Sequence, residues 1–231
     1  MTKRTTKLVI FDLDGTLVDS ARDLCESANQ LVAERGGPPL EENRVVRMVG
    51  GGARVLVFRV LVAAGLEFDE AALGRFLEIY EARLLKHTKP YGGIPETLAA
   101  LRAAAFERAV LTNKPFEPTK AILDGTGLSP YFGDAVVAGD GPWARKPAPD
   151  GLRSIVDKAG ARGEEALFVG DSRIDLETAR AADVPMCLAR YGFGAGDLPA
   201  QDPPGVEFSV MHPTQLIDRL GLKPTAFFTS L

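Results

Sequence analysis

Cysteine is scarce: only Cys25 and Cys187 occur in 231 residues. They lie far apart and in no C-x-x-C or metal-spaced cluster, which excludes a disulfide framework and a cysteine-bound metal. A reducing cytoplasm fits that usage, and both thiols read as small core residues. Basic charge is not in excess either. Lys and Arg number 27 against 31 Asp and Glu, a net charge of −4, and no nucleic-acid footprint exists without a basic face. Long apolar runs are missing as well: no segment approaches the ~18 residues of a membrane span. The basic start MTKRTTK is followed by only the apolar stretch Leu8–Phe11, too short for a signal-peptide core. There is no internal repeat and no low-complexity segment. The expectation is a cytoplasmic protein acting without membrane or nucleic acid.

What is present is a pattern of short apolar strands. Leu8–Phe11, Ala109–Thr112, Ala135–Ala138, Ala166–Val169 and Met186–Ala189 are each bounded by turn residues, with helical patterns between them. That alternation implies a parallel sheet covered on both faces, an α/β fold. Val206–Val210 either adds an edge strand or packs beside the sheet. About a hundred residues separate the first strand from the second, far more than one crossover needs. A helix is expected from Ser20, a candidate N-cap, with Leu24, Ala28, Leu31 and Val32 on one face and an end at Gly36-Gly37-Pro38-Pro39. Further helical patterns cover Glu41–Val49 and Ala53–Ala64, and a fourth carries Leu73, Phe76, Leu77, Tyr80 and Leu84 on one stripe. Lys89-Pro90-Tyr91-Gly92-Gly93 reads as a hinge, and Pro95 suits the first turn of the next helix. Residues 18–89 are therefore expected to form a helical domain inserted into a core of residues 1–17 and 90–231.

Ligands in open α/β sheets bind beyond the carboxyl ends of the strands. Asp12 and Asp14 follow the first strand, Thr112-Asn113-Lys114 the second, Asp140 and Lys146 the third, and Asp171 and Asp175 the fourth. Four aspartates on one edge repel unless a cation or Lys146 relieves them. Clustered oxygens suit a hard cation such as Mg²⁺. A carboxylate at the mouth of a strand is a candidate nucleophile, and a second one, pointing elsewhere because side chains alternate, can move protons. Thr112 and Asn113 can hydrogen-bond phosphoryl oxygens, and Lys146 can offset developing charge. Asp140 is either a further acidic group near the metal or a residue that shapes its loop, and Lys114 either reaches phosphate or lies in solvent.

These residues carry a resemblance. Asp12-Leu13-Asp14-Gly15-Thr16-Leu17-Val18-Asp19-Ser20, Leu111-Thr112-Asn113-Lys114, Lys146-Pro147 and Gly170-Asp171-Ser172-Arg173-Ile174-Asp175 resemble, in order, the four motifs of the haloacid dehalogenase-like phosphatases. The resemblance spans about residues 7–195. It implies a five-stranded Rossmann-like core with the first strand central and a small helical cap. It implies Asp12 as nucleophile and Asp14 as acid/base. Mg²⁺ would be held by the Asp12 side chain, the Asp14 main-chain carbonyl and Asp171, with Asp175 supporting the metal site. An aspartate at position 14 favours phosphate-ester hydrolysis or a phosphomutase over dehalogenation.

Within that family the chain is most similar to the phosphoglycolate phosphatases, through Val49-Gly50-Gly51-Gly52-Ala53-Arg54-Val55-Leu56, Thr112-Asn113-Lys114-Pro115, Lys146-Pro147-Ala148-Pro149 and Tyr191-Gly192-Phe193-Gly194. Gly51 stands where those phosphatases often carry asparagine. The resemblance implies a Mg²⁺-dependent phosphomonoesterase acting on a small phosphorylated metabolite, 2-phosphoglycolate first. The glycines, Gly51 among them, would let cap backbone approach a small ligand, and Arg54 or Arg47 would grip its carboxylate. A β-phosphoglucomutase-like phosphomutase, a broader sugar-phosphate phosphatase and a non-enzymatic binding protein are the alternatives. A monomer or a homodimer is expected, with the cap or the apolar tail Ala226-Phe227-Phe228 available as a dimer contact.

Overall fold

The structure is a computed structural model and describes residues 6–223. In chain order it contains β1 (Leu8–Phe11), β2 (Val18–Asp19), α1 (Ala21–Glu34), α2 (Glu42–Val46), α3 (Ala53–Ala63), α4 (Glu70–Glu81) and β3 (Lys89–Pro90). There follow α5 (Ile94–Ala103), β4 (Glu107–Leu111), α6 (Phe116–Gly125), β5 (Val136–Val137), α7 (Asp150–Lys158) and β6 (Ala166–Gly170). The chain then forms α8 (Arg173–Ala182), β7 (Met186–Ala189), β8 (Val206–Val210) and α9 (Gln215–Arg219). No helix among the described residues is long and apolar enough to cross a membrane. The tail residues Ala226-Phe227-Phe228 lie outside the described residues.

The main sheet runs β5-β4-β1-β6-β7-β8, and every neighbouring pair in it is parallel. It has six strands rather than the five that the resemblance implied, with β1 inside the sheet. The sixth is β8, one of two options left open by its sequence. It takes the otherwise bare edge of β7, as an unpaired row of amides and carbonyls favours.

β1 is buried on both faces, so its side chains divide by the two-residue period of a strand. Val9 and Phe11 join one apolar cluster with Leu98 and Leu101 of α5 and Ile122 of α6. Leu8 and Ile10 join another with Leu152 of α7 and Leu176 of α8. Full burial of residues such as Phe11 and Phe168 is worth about 2–3 kcal/mol each.

The inserted segment forms a helical cap. Leu24 and Leu31 of α1, Leu56, Val60 and Leu61 of α3, and Phe76, Ile79 and Tyr80 of α4 belong to the same cluster as Val9 and Phe11. Leu77, expected on the buried stripe of α4, is instead 40% exposed. The chain leaves the core through β2 and returns through β3, and the two pair antiparallel, Val18 opposite Pro90 and Asp19 opposite Lys89. Such short strands carry no period in sequence, which is why the ribbon was not foreseen. Pro95 stands in the first turn of α5.

Asp23 locks the returning strand to α1. It is fully buried, and its Oδ2 accepts from the backbone N–H of His87 (2.8 Å) and Thr88 (2.7 Å) and from Thr88 Oγ1 (2.8 Å). Replacing it by alanine strands three buried donors. Asp23→Ala is expected to cost about 3 kcal/mol, read as a shift in urea midpoint. A loss under about 1 kcal/mol would show that water replaces the carboxylate freely.

Candidate active site

The mouth of β1 is crowded with charge. Asp12 directly follows the strand, and its N–H donates to Val169 O (2.9 Å), which fixes the loop against β6. Lys146 Nζ donates to Asp12 Oδ1 (2.7 Å) and to Asp175 Oδ1 (2.6 Å). The other oxygen of Asp175 accepts from Ser172 N (3.0 Å) and Ser172 Oγ (2.6 Å), closing a capping box at the start of α8. Asp171, immediately after β6, accepts from Gly194 N at its Oδ2 (2.7 Å).

Gly15 packs on Asp171 from the other side. Its φ is +87°, and a Cβ there would sit 2.1 Å from Asp171 Oδ2, so only glycine fits both the turn and the contact. The run Tyr191-Gly192-Phe193-Gly194 wraps the same carboxylate, with Tyr191 Oη donating to Thr16 O (3.0 Å). Its part here is to hold Asp171.

Oxygens of Asp12, Asp171 and Asp175 lie within 4.8 Å of one another. Burial pushes Asp12 up to about 7; Lys146 pulls it down and Asp175 pushes it further up. Burial also holds Asp171 well above the usual carboxylate range, with Asp175 and Asp12 adding to the effect. For Lys146, burial works against the charge, but Asp12 and Asp175 outweigh it and hold the ammonium above its ordinary range.

This donor set fits a hard divalent cation. Lys146 balances one of the three carboxylates, which leaves the charge that a dication neutralises. Asp12 Oδ2 and Asp171 Oδ1 accept no hydrogen bond from the described residues, which leaves both without a protein donor. Asp175 differs: Lys146 and Ser172 bond both its oxygens, and it joins the carboxylate group while also positioning Lys146.

The Asp14 side chain stands apart from this cluster. Its Oδ1 accepts from Ser20 Oγ (2.6 Å) and its Oδ2 pairs with Lys114 Nζ (2.9 Å). Any share of Asp14 in a metal site therefore falls to its main chain. Ser20 does occupy the N-cap position of α1 but makes no side-chain cap bond; its hydroxyl is diverted to Asp14, while Asp19 Oδ1 accepts from Ala21 N (3.2 Å). Thr112 is buried and its Oγ1 accepts from Lys114 N (3.1 Å), which leaves the hydroxyl proton free to donate. Asn113 Nδ2 donates to Lys146 O (2.9 Å) and to Gly50 O of the cap (2.8 Å), so the amide fastens cap to core. Asp140 accepts from Phe116 N (2.8 Å) at the start of α6 and shapes its loop.

Between sheet and cap lies a cavity of about 60 Å³, bounded below by Asp12, Asp14, Thr112, Asn113 and Lys146. Gly50 and Gly52 line it, whereas Gly51 does not; a Cβ on Gly51 would meet Val55 at 2.9 Å. Arg54 is also absent from the lining. Glu70 of α4 captures its guanidinium with two 2.6 Å bonds on the exposed cap surface, so the expected grip on a ligand carboxylate is not what this side chain does. Arg47 lies 3.8 Å from Asp197 and is largely exposed. Tyr80, which the sequence pattern shows only as part of a helix stripe, and Lys114 both line the cavity. The signal for Lys114 was its position directly after Thr112-Asn113.

Comparison with known proteins agrees with this geometry. The model of the haloacid dehalogenase-like hydrolases matches residues 6–183. A phosphoglycolate phosphatase of Rhodospirillum rubrum is 44% identical over 195 residues, 81% of this chain and 80% of the relative. One of Agrobacterium fabrum is 36% identical over 236 aligned positions, 100% of this chain and 97% of the relative. The crystal structure of a predicted phosphoglycolate phosphatase from Haemophilus somnus superposes with a TM-score of 0.85 at 31% identity, covering 93% of this chain and 98% of that one. The chain belongs to the haloacid dehalogenase-like hydrolases.

Proposed function

We propose that the protein is a Mg²⁺-dependent phosphomonoesterase that hydrolyses 2-phosphoglycolate through a phosphorylated Asp12. The observation that carries this reading is the arrangement of Asp12: Lys146 holds one carboxylate oxygen and leaves the other free at the floor of the cavity between sheet and cap. Oδ2 of Asp12 attacks phosphorus in line with the ester oxygen, which leaves with a proton from Asp14. Asp14 then takes a proton from water as that water attacks the phosphoryl group, and Asp12 is regenerated. Ser20 and Lys114 fix the orientation of Asp14 throughout. Thr112 donates to a phosphoryl oxygen, and Lys146 offsets charge that builds on the oxygens. Asp12, Asp171 and the main chain of Asp14 would hold Mg²⁺, which when bound would offset negative charge on the phosphoryl oxygens. The Asn113–Gly50 bond keeps the cap down and water out.

The cavity lining supports the same reading. Lys114 and Lys146 line a cavity whose cap side is apolar, with Leu24, Leu56 and Phe76, a lining that suits a small anionic ligand. The relatives' shared description as phosphoglycolate phosphatases points the same way. The test is phosphate release with Mg²⁺ from 2-phosphoglycolate, hexose phosphates, nucleoside monophosphates and pyrophosphate. Preference for 2-phosphoglycolate is expected. Equal rates across the sugar phosphates would discard the substrate and keep the chemistry.

The metal part of the proposal has its own signature. The carboxyls of Asp12 and Asp171 both titrate above the ordinary 3.8, so the folded, metal-free protein binds more protons than the unfolded chain. The contribution of Asp12 to stability is fully present below pH 3.8 and is lost as pH rises through about 7, and that of Asp171 is lost as pH rises through its own raised range. Mg²⁺ competes with those protons for the same oxygens. Thermal melts are therefore expected to show a larger Mg²⁺-induced rise in Tm at about pH 8 than at about pH 5.5. An equal or smaller rise at the higher pH would remove these two carboxylates from the metal site.

A further inference from the structure

The cleft holds a second buried lysine whose part in phosphoryl transfer is only to orient Asp14. Lys114 is 8% exposed. Its Nζ lies 2.9 Å from Asp14 Oδ2, donates to Tyr80 Oη at 2.9 Å, and sits 4.6 Å from the centroid of the Tyr80 ring. Tyr80 belongs to α4 of the cap, so this lysine touches core and cap together. Around the pair the cap wall is apolar: Leu24, Val49, Leu56, Phe76 and Leu77 line the same cavity.

Donors remain unused on this wall. An ammonium carries three N–H groups, and Asp14 and Tyr80 take two. The Tyr80 hydroxyl accepts from Lys114, and no described residue accepts its own proton. A lysine serving only as counter-ion to Asp14 has no need of a cap hydroxyl beside it. One charged donor and one neutral donor, side by side against the apolar cap wall, match the two oxygens of a carboxylate. Arg54, the cap arginine expected to grip a carboxylate, is held by Glu70 on the outer surface.

We propose that Lys114 and Tyr80 form the carboxylate-recognition pair of the enzyme, which selects phosphate esters of small hydroxy acids over neutral alkyl phosphates. This rests on the reading of the protein as a 2-phosphoglycolate phosphatase. Because Lys114 also orients Asp14, the informative quantity is a ratio: kcat/KM for 2-phosphoglycolate over kcat/KM for ethyl phosphate, which lacks the carboxylate.

In Lys114→Met the ratio is expected to fall on the order of 10²-fold, carried by KM for 2-phosphoglycolate. In Tyr80→Phe, which keeps the ring stacked on Phe76, it is expected to fall roughly tenfold. Parallel losses on both substrates in Lys114→Met, with an unchanged ratio in Tyr80→Phe, would overturn the proposal and leave Lys114 as a positioning residue for Asp14. Should Lys114→Met not fold, Tyr80→Phe decides alone: a ratio within about twofold of wild type overturns the pair. Failure of the underlying reading looks different, because the wild-type enzyme would then show no preference for 2-phosphoglycolate over ethyl phosphate.

Discussion

Asp12→Asn is expected to abolish turnover and, in the metal-free protein, to raise the melting temperature. The amide keeps the shape of the side chain and still accepts from Lys146 at Oδ1, but it cannot attack phosphorus. Removing a nucleophile costs on the order of 10⁴-fold or more in kcat. Stability moves the other way because Asp12 is a buried carboxylate held up at about 7 by burial and by Asp175, against the pull of Lys146. Near neutral pH its charge is an unfavourable feature of the folded state, and the neutral amide relieves the repulsion on Asp171 and Asp175. Each kcal/mol gained is worth roughly 2–4 °C in a chain of this length. Opposite movements of activity and Tm separate lost chemistry from lost folding. Retention of more than about a hundredth of wild-type kcat would exclude Asp12 as the nucleophile, and a lowered Tm would show that its charge is a net benefit to the fold.

Lys146→Met is expected to be the most destabilising single change at the site. Lys146 is the one cation bonded to the Asp12, Asp171 and Asp175 group among the described residues, touching two of its members. Methionine fills similar space and leaves three buried carboxylates facing one another. Breaking such an arrangement by removing one partner costs about 3–5 kcal/mol, a fall of roughly 10 °C or more in Tm. Added Mg²⁺ should recover part of the loss, since the cation answers the same excess charge. Differential scanning calorimetry with and without Mg²⁺ reads both effects. A Tm within about 2 °C of wild type would mean that the carboxylates are neutral without the lysine.

Legibility in the sequence followed the range of the interaction. Leu8–Phe11 was readable because burial on both faces demands an unbroken apolar run, and the aspartates after β1 and β6 were readable because a parallel sheet gathers its strand ends. Contacts between distant segments were not. Nothing near Arg54 announces Glu70 sixteen residues on, nor does Tyr80 announce Lys114 thirty-four residues on, since each pairing depends on how one helix lies against another element. Ser20 failed differently. A serine before a helix normally caps it by accepting from the first amides, but the Ser20 side chain is turned to Asp14, to which its hydroxyl donates, and its oxygen accepts from no amide of α1. β8 stayed open as a sixth strand because a short alternating segment serves equally as an edge strand or as a segment packed beside the sheet.

The placement of β1 inside the sheet also sets an order for folding during synthesis. Leu8 pairs with Glu107 on one side and with Ala166 on the other, so the strand that leads to Asp12 emerges from the ribosome long before either neighbour exists. At about 5–20 residues per second, β1 waits for roughly 5–20 s before β4 is made and longer for β6. The cap helices follow β1 directly and find their partners within the insert. The cap can therefore condense first, on a chain whose leading strand is still exposed, and the nascent protein carries its most apolar strand unpaired through that interval.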